Sequence, residues 1–115
     1  MQWLVLILRD ARTKRSSGYC DHNGSIMVVT TNRATGTMTI HYAEPKPSLW
    51  EIGVRPGTLL VDGRWFGDRF VGRARVFNLV CGAIPYEVAG GMVPGIGLVL
   101  EGPQWRVDWW CRPML

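Results

Sequence analysis

The stretch from Gly57 to Phe77 constrains the fold of this chain more than any other part of the sequence. Within it, Leu59, Val61 and Trp65 alternate with polar residues, and this period of two predicts a strand with one buried face. Gly67-Asp68 interrupts the alternation, which then resumes in the residues that follow. We therefore expect a strand, a tight turn and a returning strand.

The composition favours the same fold class. Apolar residues make up 47% of the 115 residues, and they occur in short runs separated by 14 glycines and 7 prolines, as is typical of all-β domains. Gly63 within the hairpin leaves room for a large side chain from the neighbouring strand. We predict one all-β domain, an antiparallel meander of six or seven strands that curls into a sandwich or a small barrel and so hides its edges.

The N-terminal part divides into an apolar and a polar stretch. Residues 9–17 are polar and basic, which predicts a flexible segment over residues 1–18 and an ordered β domain over residues 19–115. The apolar run from Trp3 to Leu8 is too short to span a membrane, and it lacks the basic start and the cleavage site of a signal peptide. Three interpretations stay open for it: the remnant of a signal peptide, an additional strand, or a misassigned start.

The remaining elements follow from alternation and turn residues. Asn23-Gly24 suits a turn with positive φ, and Pro85 indicates an edge position or a bulge. We expect one short helical turn over residues 48–53, with Ser48 as its N-terminal cap. Besides the central hairpin, strands are predicted over residues 26–31, 37–43, 84–88, 97–101 and 105–110.

The chain has three cysteines, Cys20, Cys81 and Cys111, and no pair of them has the spacing of a zinc or thioredoxin-like site. We favour a disulfide between Cys81 and Cys111, because both flank the C-terminal strands. Closing a loop of about 30 residues would stabilise the fold by about 3–4 kcal/mol. The alternative is three reduced, buried cysteines in a cytosolic protein.

No catalytic or metal-binding motif stands out. Cys20, Asp21 and His22 are adjacent, but nothing identifies the further metal ligands or the oxyanion hole that chemistry at this site would need. The glycine-rich stretch 90–97 precedes a strand rather than the helix of a phosphate-binding loop. We predict no catalytic residues, no metal and no cofactor, and therefore a protein that is not an enzyme.

The best candidate for function is a surface on the central hairpin. Arginines beside exposed aromatic rings can stack on bases, hold acidic polymers or anchor a protein partner. The alternative is that these arginines lie on the wet face of the sheet and only cover the rings with their apolar stems. The candidate binding residues are Arg64, Phe66, Arg69, Phe70, Arg73 and Arg75.

Several short motifs are spread over residues 21–111. They are His22-Asn23-Gly24-Ser25-x-Met27, Ile40-x-Tyr42, Pro45-x-Pro47, Gly53-Val54-x-Pro56-Gly57-Thr58-Leu59-Leu60, Gly63, Gly67, Gly72-x-Ala74-x-Val76-Phe77, Cys81-Gly82 and Tyr86-x-Val88. Together these motifs resemble an uncharacterised small all-β domain of bacteria, which is found as exported stand-alone proteins and as a C-terminal appendage of larger chains, such as caspase-like peptidases. The resemblance implies the β fold and a compartment linked to export, but it carries no activity.

These observations lead to a functional hypothesis and one alternative. We expect a non-enzymatic accessory or binding domain of the cell envelope, periplasmic or secreted, with a protein or envelope partner and no transmembrane segment. Reduced cysteines would instead indicate the cytoplasm. The alternative is a small β-barrel that binds single-stranded nucleic acid through the hairpin of residues 64–75; the net charge of +4 is modest for such a role.

Overall fold

A computed structural model describes residues 1–10 and 18–114 of the chain. The described residues form eight strands, which close into an antiparallel barrel in which each strand pairs with the next and the last pairs with the first. The all-β antiparallel meander predicted from the sequence is therefore confirmed, in its barrel form, with eight strands instead of the predicted six or seven. The elements are β1 (Gln2–Asp10), β2 (Tyr19–His22), β3 (Ser25–Asn32), β4 (Thr37–Glu44), α1 (Pro47–Trp50), β5 (Leu59–Phe66), β6 (Arg69–Asn78), β7 (Gly82–Val93) and β8 (Gly97–Gln104).

The strand that closes the barrel lies in the segment that we predicted to be flexible. Residues 2–8 of β1 pair with residues 98–104 of β8, and Arg9 and Asp10 pair with β2. Leu6 and Leu8 alternate with outward residues and point into the core. The prediction of a flexible segment over residues 1–18 is therefore wrong for residues 2–10, because their apolar alternation fills the last position in the sheet. Residues 11–17, which the same prediction covers, lie outside the described residues.

The interior of the barrel is filled by side chains, as expected for a barrel of eight strands. Every strand contributes inward residues to one continuous core. The largest side chains that are completely buried include Phe70, Met27, Ile40 and Leu100. The predicted turn between β2 and β3 is present, with φ values of 48° at Asn23 and 87° at Gly24.

A pair of glycines makes space for the ring of Phe70. Gly63 on β5 lies directly opposite Gly72 on β6. A Cβ atom on Gly63 would lie 2.6 Å from Cζ of Phe70, and one on Gly72 would lie 2.9 Å from Cε2 of the same ring. The prediction that Gly63 leaves room for a large neighbour is confirmed, and the neighbour is Phe70.

Two local predictions differ from the structure. The helix begins at Pro47, with Lys46 at the N-cap position and no side-chain capping bond, so Ser48 is not its cap. Residues 105–110 do not form a strand; this region is a loop in which Val107 makes an isolated bridge to Pro113. Pro85 lies in the part of β7 that pairs with β6 but has no β8 partner among the paired positions, which agrees with the expected edge-like site.

Candidate functional site

The hairpin of β5 and β6 presents two arginines and two apolar side chains on the outside of the barrel. Arg64 lies opposite Val71, and Phe66 lies opposite Arg69, on either side of the two-residue turn. All four side chains are exposed, Phe66 at 61%. We refer to Arg64, Phe66, Arg69 and Val71 as the hairpin face.

Phe70 does not belong to this surface, which corrects its assignment as a binding residue. Its side chain has no exposed area, and it meets the ring of Trp65 edge-on with centroids 5.5 Å apart. The reason is register: the turn places Phe66 opposite Arg69, so the next pair, Trp65 and Phe70, points inward. The sequence does contain a signal for this: continuing the inward–outward alternation of β5 through the two-residue turn into β6 identifies Phe70 as a core residue.

Two further arginines of the predicted site are held by carboxylates. Arg73 lies 3.4 Å from Glu87 on β7, between Nε and Oε1, and both side chains are largely exposed. Arg75 donates to Asp62 from a side chain that is only 17% exposed, and it also donates to the carbonyl oxygen of Arg73. These two arginines therefore hold neighbouring strands of the barrel together and have less positive charge to offer a partner.

Arg64 and Arg69 differ from Arg73 and Arg75 because no carboxylate of the described residues pairs with them. Among the residues that the structure describes, neither arginine forms an ion pair or a side-chain hydrogen bond. Arg64 borders a groove of about 560 Å³ on the outer surface, with Phe66 and Val71 on one side and Thr37 and Thr39 of β4 on the other. The sequence did not identify the two threonines, because only strand pairing places Thr37 opposite Arg64.

A second exposed surface lies at the opposite end of β6. Cys81 and Cys111 form the predicted disulfide, with an S–S distance of 2.04 Å, and it joins the β6–β7 turn to the loop that follows β8. Both loops that the disulfide joins expose large apolar side chains. We refer to these residues as the disulfide tip: Leu79, Val80, Trp109, Trp110 and Met114.

The barrel interior contains few polar groups, and these are already bonded. Among the described residues, the buried polar side chains are His22 and Ser25. His22 Nδ1 donates to the carbonyl oxygen of Ile7 at 3.1 Å, and Ser25 Oγ accepts from the amide of Lys46 at 2.9 Å. Burial lowers the pKa of His22 below its ordinary value; the bond to Ile7 acts in the opposite direction, and the charge of Lys46 lowers it further.

Two tyrosines are also held in their neutral form. Burial, together with the neighbouring Tyr86, raises the pKa of Tyr42 to about 12. Burial likewise raises the pKa of Tyr86 above its ordinary value.

Over residues 1–10 and 18–114, no three His, Cys, Asp or Glu side chains come together as metal ligands. Cys20 and His22 both point into the barrel, on a strand whose alternation turns Asp21 the other way.

Comparison of the chain with protein-family models, curated proteins and solved structures finds no match. The resemblance to an exported bacterial β domain therefore stays a prediction. In the described part of the chain, none of the helical segments has the length and apolar character that a membrane crossing requires.

Proposed function

We propose that this chain is a non-enzymatic binding domain of the cell envelope and that the hairpin face binds an acidic partner protein. The observation that carries the proposal is the contrast among the four hairpin arginines. Arg73 and Arg75 are neutralised by carboxylates, whereas Arg64 and Arg69 flank an exposed Phe66 without such partners. A ring between two available guanidinium groups is the composition of an anchoring site for an acidic surface.

The rigidity of the hairpin supports the same proposal. Arg64 and Arg69 are carried by paired strands of a closed barrel rather than by a loop, so little backbone entropy is lost on binding. A non-enzymatic role is supported by the interior, where His22 donates to the carbonyl oxygen of Ile7 and Ser25 accepts from the amide of Lys46, so both side chains are engaged with backbone atoms.

The disulfide supports the envelope as the location. A bridge between Cys81 and Cys111 persists in oxidising compartments and is rare in the cytosol. The test is a count of free thiols, without reductant, in native protein taken from its own cells. One free thiol in three supports an exported domain, and three free thiols would refute the location while leaving the binding surface to be tested separately.

The binding surface is tested with a fluorescein-labelled poly-glutamate peptide as a defined acidic probe. Fluorescence anisotropy would compare the wild type with Arg64→Ser/Arg69→Ser. The matched control is Arg73→Ser/Arg106→Ser, which also removes two positive charges but leaves the hairpin face intact. We expect the first variant to bind about tenfold more weakly than the control, since exposed charge pairs are worth up to about 1 kcal/mol each and a loss of about 1.4 kcal/mol is tenfold in affinity.

Binding of a labelled oligo(dT) 15-mer tests the alternative that the hairpin face binds single-stranded nucleic acid. Single-strand binders stack successive bases on several aromatic rings, whereas the hairpin face offers only Phe66, because Phe70 is buried. We therefore expect the acidic peptide to bind more tightly than the oligonucleotide. Tighter binding of the oligonucleotide, with a steep loss of affinity as salt is added, would replace the proposal with the alternative. Equal losses in both double variants would show that net charge alone is responsible.

A further inference from the structure

The disulfide tip exposes several large apolar side chains close together, which is unusual on the surface of a soluble protein. Leu79, Val80, Trp109 and Trp110 are each at least 73% exposed, and they lie on two loops that the disulfide holds together. A cluster of this kind, unlike a single exposed leucine, marks an interaction surface. Two adjacent tryptophans are notable within it, because their amphipathic rings are enriched at the membrane–water interface.

Several main-chain amides of the two loops are bonded within the tip. Asn78 Oδ1 accepts from the amides of Val80 and Cys81 at 2.8 and 3.0 Å. Asp108 Oδ1 accepts in the same way from the amide of Trp110 at 2.9 Å. Backbone groups that enter a lipid environment must find partners within the protein. These three amides therefore already have the partners that contact with lipid would require of them.

The charges of the tip favour an anionic surface. Residues 78–82 and 105–114 contain two arginines and one aspartate, hence a net charge of +1. The aspartate, Asp108, is paired with Arg112 through Oδ2 and Nε at 3.2 Å. The guanidinium of Arg112 also lies 5.4 Å from the ring centroid of Trp110, and Arg106 is exposed nearby in sequence. Arginines beside interfacial aromatic rings can reach lipid phosphates.

The two loops are also held in one arrangement before any contact is made. The disulfide joins them, Val107 bridges Pro113, and the amide of Cys111 donates to the carbonyl of Asp108 at 3.0 Å. A surface that is already ordered loses little conformational entropy when it binds.

We propose that the disulfide tip docks the protein on a lipid surface that contains anionic lipids. The indole rings of Trp109 and Trp110 lie at the level of the headgroups, Leu79 and Val80 contact the upper acyl chains, and the arginines meet the phosphates. The inference goes beyond the proposed function, because it concerns a lipid occupant and the opposite end of the barrel from the hairpin turn.

The test is co-flotation of the full chain with vesicles of phosphatidylcholine and phosphatidylglycerol at 70:30, compared with phosphatidylcholine alone. The tip variant is Trp109→Ala/Trp110→Ala. The matched control is Met92→Ala/Ile96→Ala, which removes two exposed apolar side chains near the opposite turn, between β7 and β8. We expect the wild type and the control to float with the anionic vesicles, and the tip variant to partition at least about tenfold more weakly, since two large apolar surfaces are lost.

A second tip variant, Leu79→Ser/Val80→Ser, changes the other loop and keeps the test informative if the tryptophan variant does not fold. A blue shift of tryptophan emission on adding anionic vesicles, absent from the tryptophan variant, would support docking through the rings. Failure of the wild type to float would overturn the proposal, as would equal flotation of the wild type and both tip variants. Loss of flotation only in Arg64→Ser/Arg69→Ser would also overturn it, whereas the poly-glutamate measurement tests the hairpin face independently.

Discussion

Two phenylalanines on either side of the β5–β6 turn provide the most direct test of the structure. Phe66 and Phe70 are four residues apart and have the same chemistry, yet 61% of Phe66 is exposed and none of Phe70. Replacing each with alanine removes the same atoms from opposite sides of one sheet. The two substitutions should therefore differ in stability by nearly the full worth of a buried ring.

The expected cost of Phe70→Ala follows from what surrounds the ring. Burying a phenylalanine side chain contributes about 1.5–3 kcal/mol, and the cavity left behind brings the measured cost of Phe→Ala to about 3–5 kcal/mol. The ring lies against Gly63 and Gly72, which have no side chains that could move into the space, so we expect about 4 kcal/mol. The edge-on contact with Trp65 is lost as well. Phe66→Ala should change the free energy of unfolding by less than about 0.5 kcal/mol.

Urea unfolding followed by circular dichroism measures both values without depending on the tryptophan beside the ring. For small proteins the slope is about 1–3 kcal/mol per molar urea, so Phe70→Ala should lower the midpoint by more than about 1 M. Phe66→Ala should leave the midpoint almost unchanged. A loss below about 1 kcal/mol for Phe70→Ala, or equal losses for both variants, would refute the register that places Phe70 inside the barrel.

Three further predictions concern the disulfide and the buried titratable groups. Cys81→Ser/Cys111→Ser should destabilise the protein by about 3–4 kcal/mol, because the bridge spans 30 residues; unchanged urea unfolding would contradict this. Since burial lowers the pKa of His22, its unfolded form takes up a proton below pH 6.5 while the folded form stays neutral, so stability falls as the pH drops. His22→Gln should lose less stability than the wild type between pH 7.5 and pH 5.5, and equal losses would argue against a buried neutral imidazole. With the pKa of Tyr42 raised from 10.0 to about 12, absorbance at 295 nm should show a tyrosine that ionises near pH 12 and disappears in Tyr42→Phe. Stability should decline between those two pH values, and a titration complete by pH 11 would exclude the burial.

The candidate site could be predicted only in part. Arg64 and Phe66 share the parity opposite to Trp65, which by itself predicts that both lie on the outer face, and both side chains are exposed. The position of Phe70 depends on the two-residue turn, which places Phe66 opposite Arg69 and so turns the next pair, Trp65 and Phe70, inward. The sequence groups Arg73 with Arg64, although only pairing with β7 shows that Glu87 lies opposite Arg73.

The disulfide tip illustrates a different limit. The residues 105–110 contain three tryptophans and alternate well enough to predict a strand, yet no neighbouring strand is available to pair with them once β8 has joined β1. The stretch instead forms a loop that the disulfide ties to the β6–β7 turn through Cys111. Trp109 and Trp110 are exposed in this loop.

Alternation and turn residues act between near neighbours, and they therefore predict the fold class, the central hairpin and most of the strands. The sequence also indicated the pairing of Cys81 with Cys111. The closure of the meander, with Gln2 beside Gln104, and the role of residues 2–10 as the closing strand follow from long-range strand pairing and are visible only in the folded barrel. Closure of the barrel, ion pairing and the exposure of the tip depend on the register between segments far apart in the chain. The alternation of residues within one segment carries no information about that register.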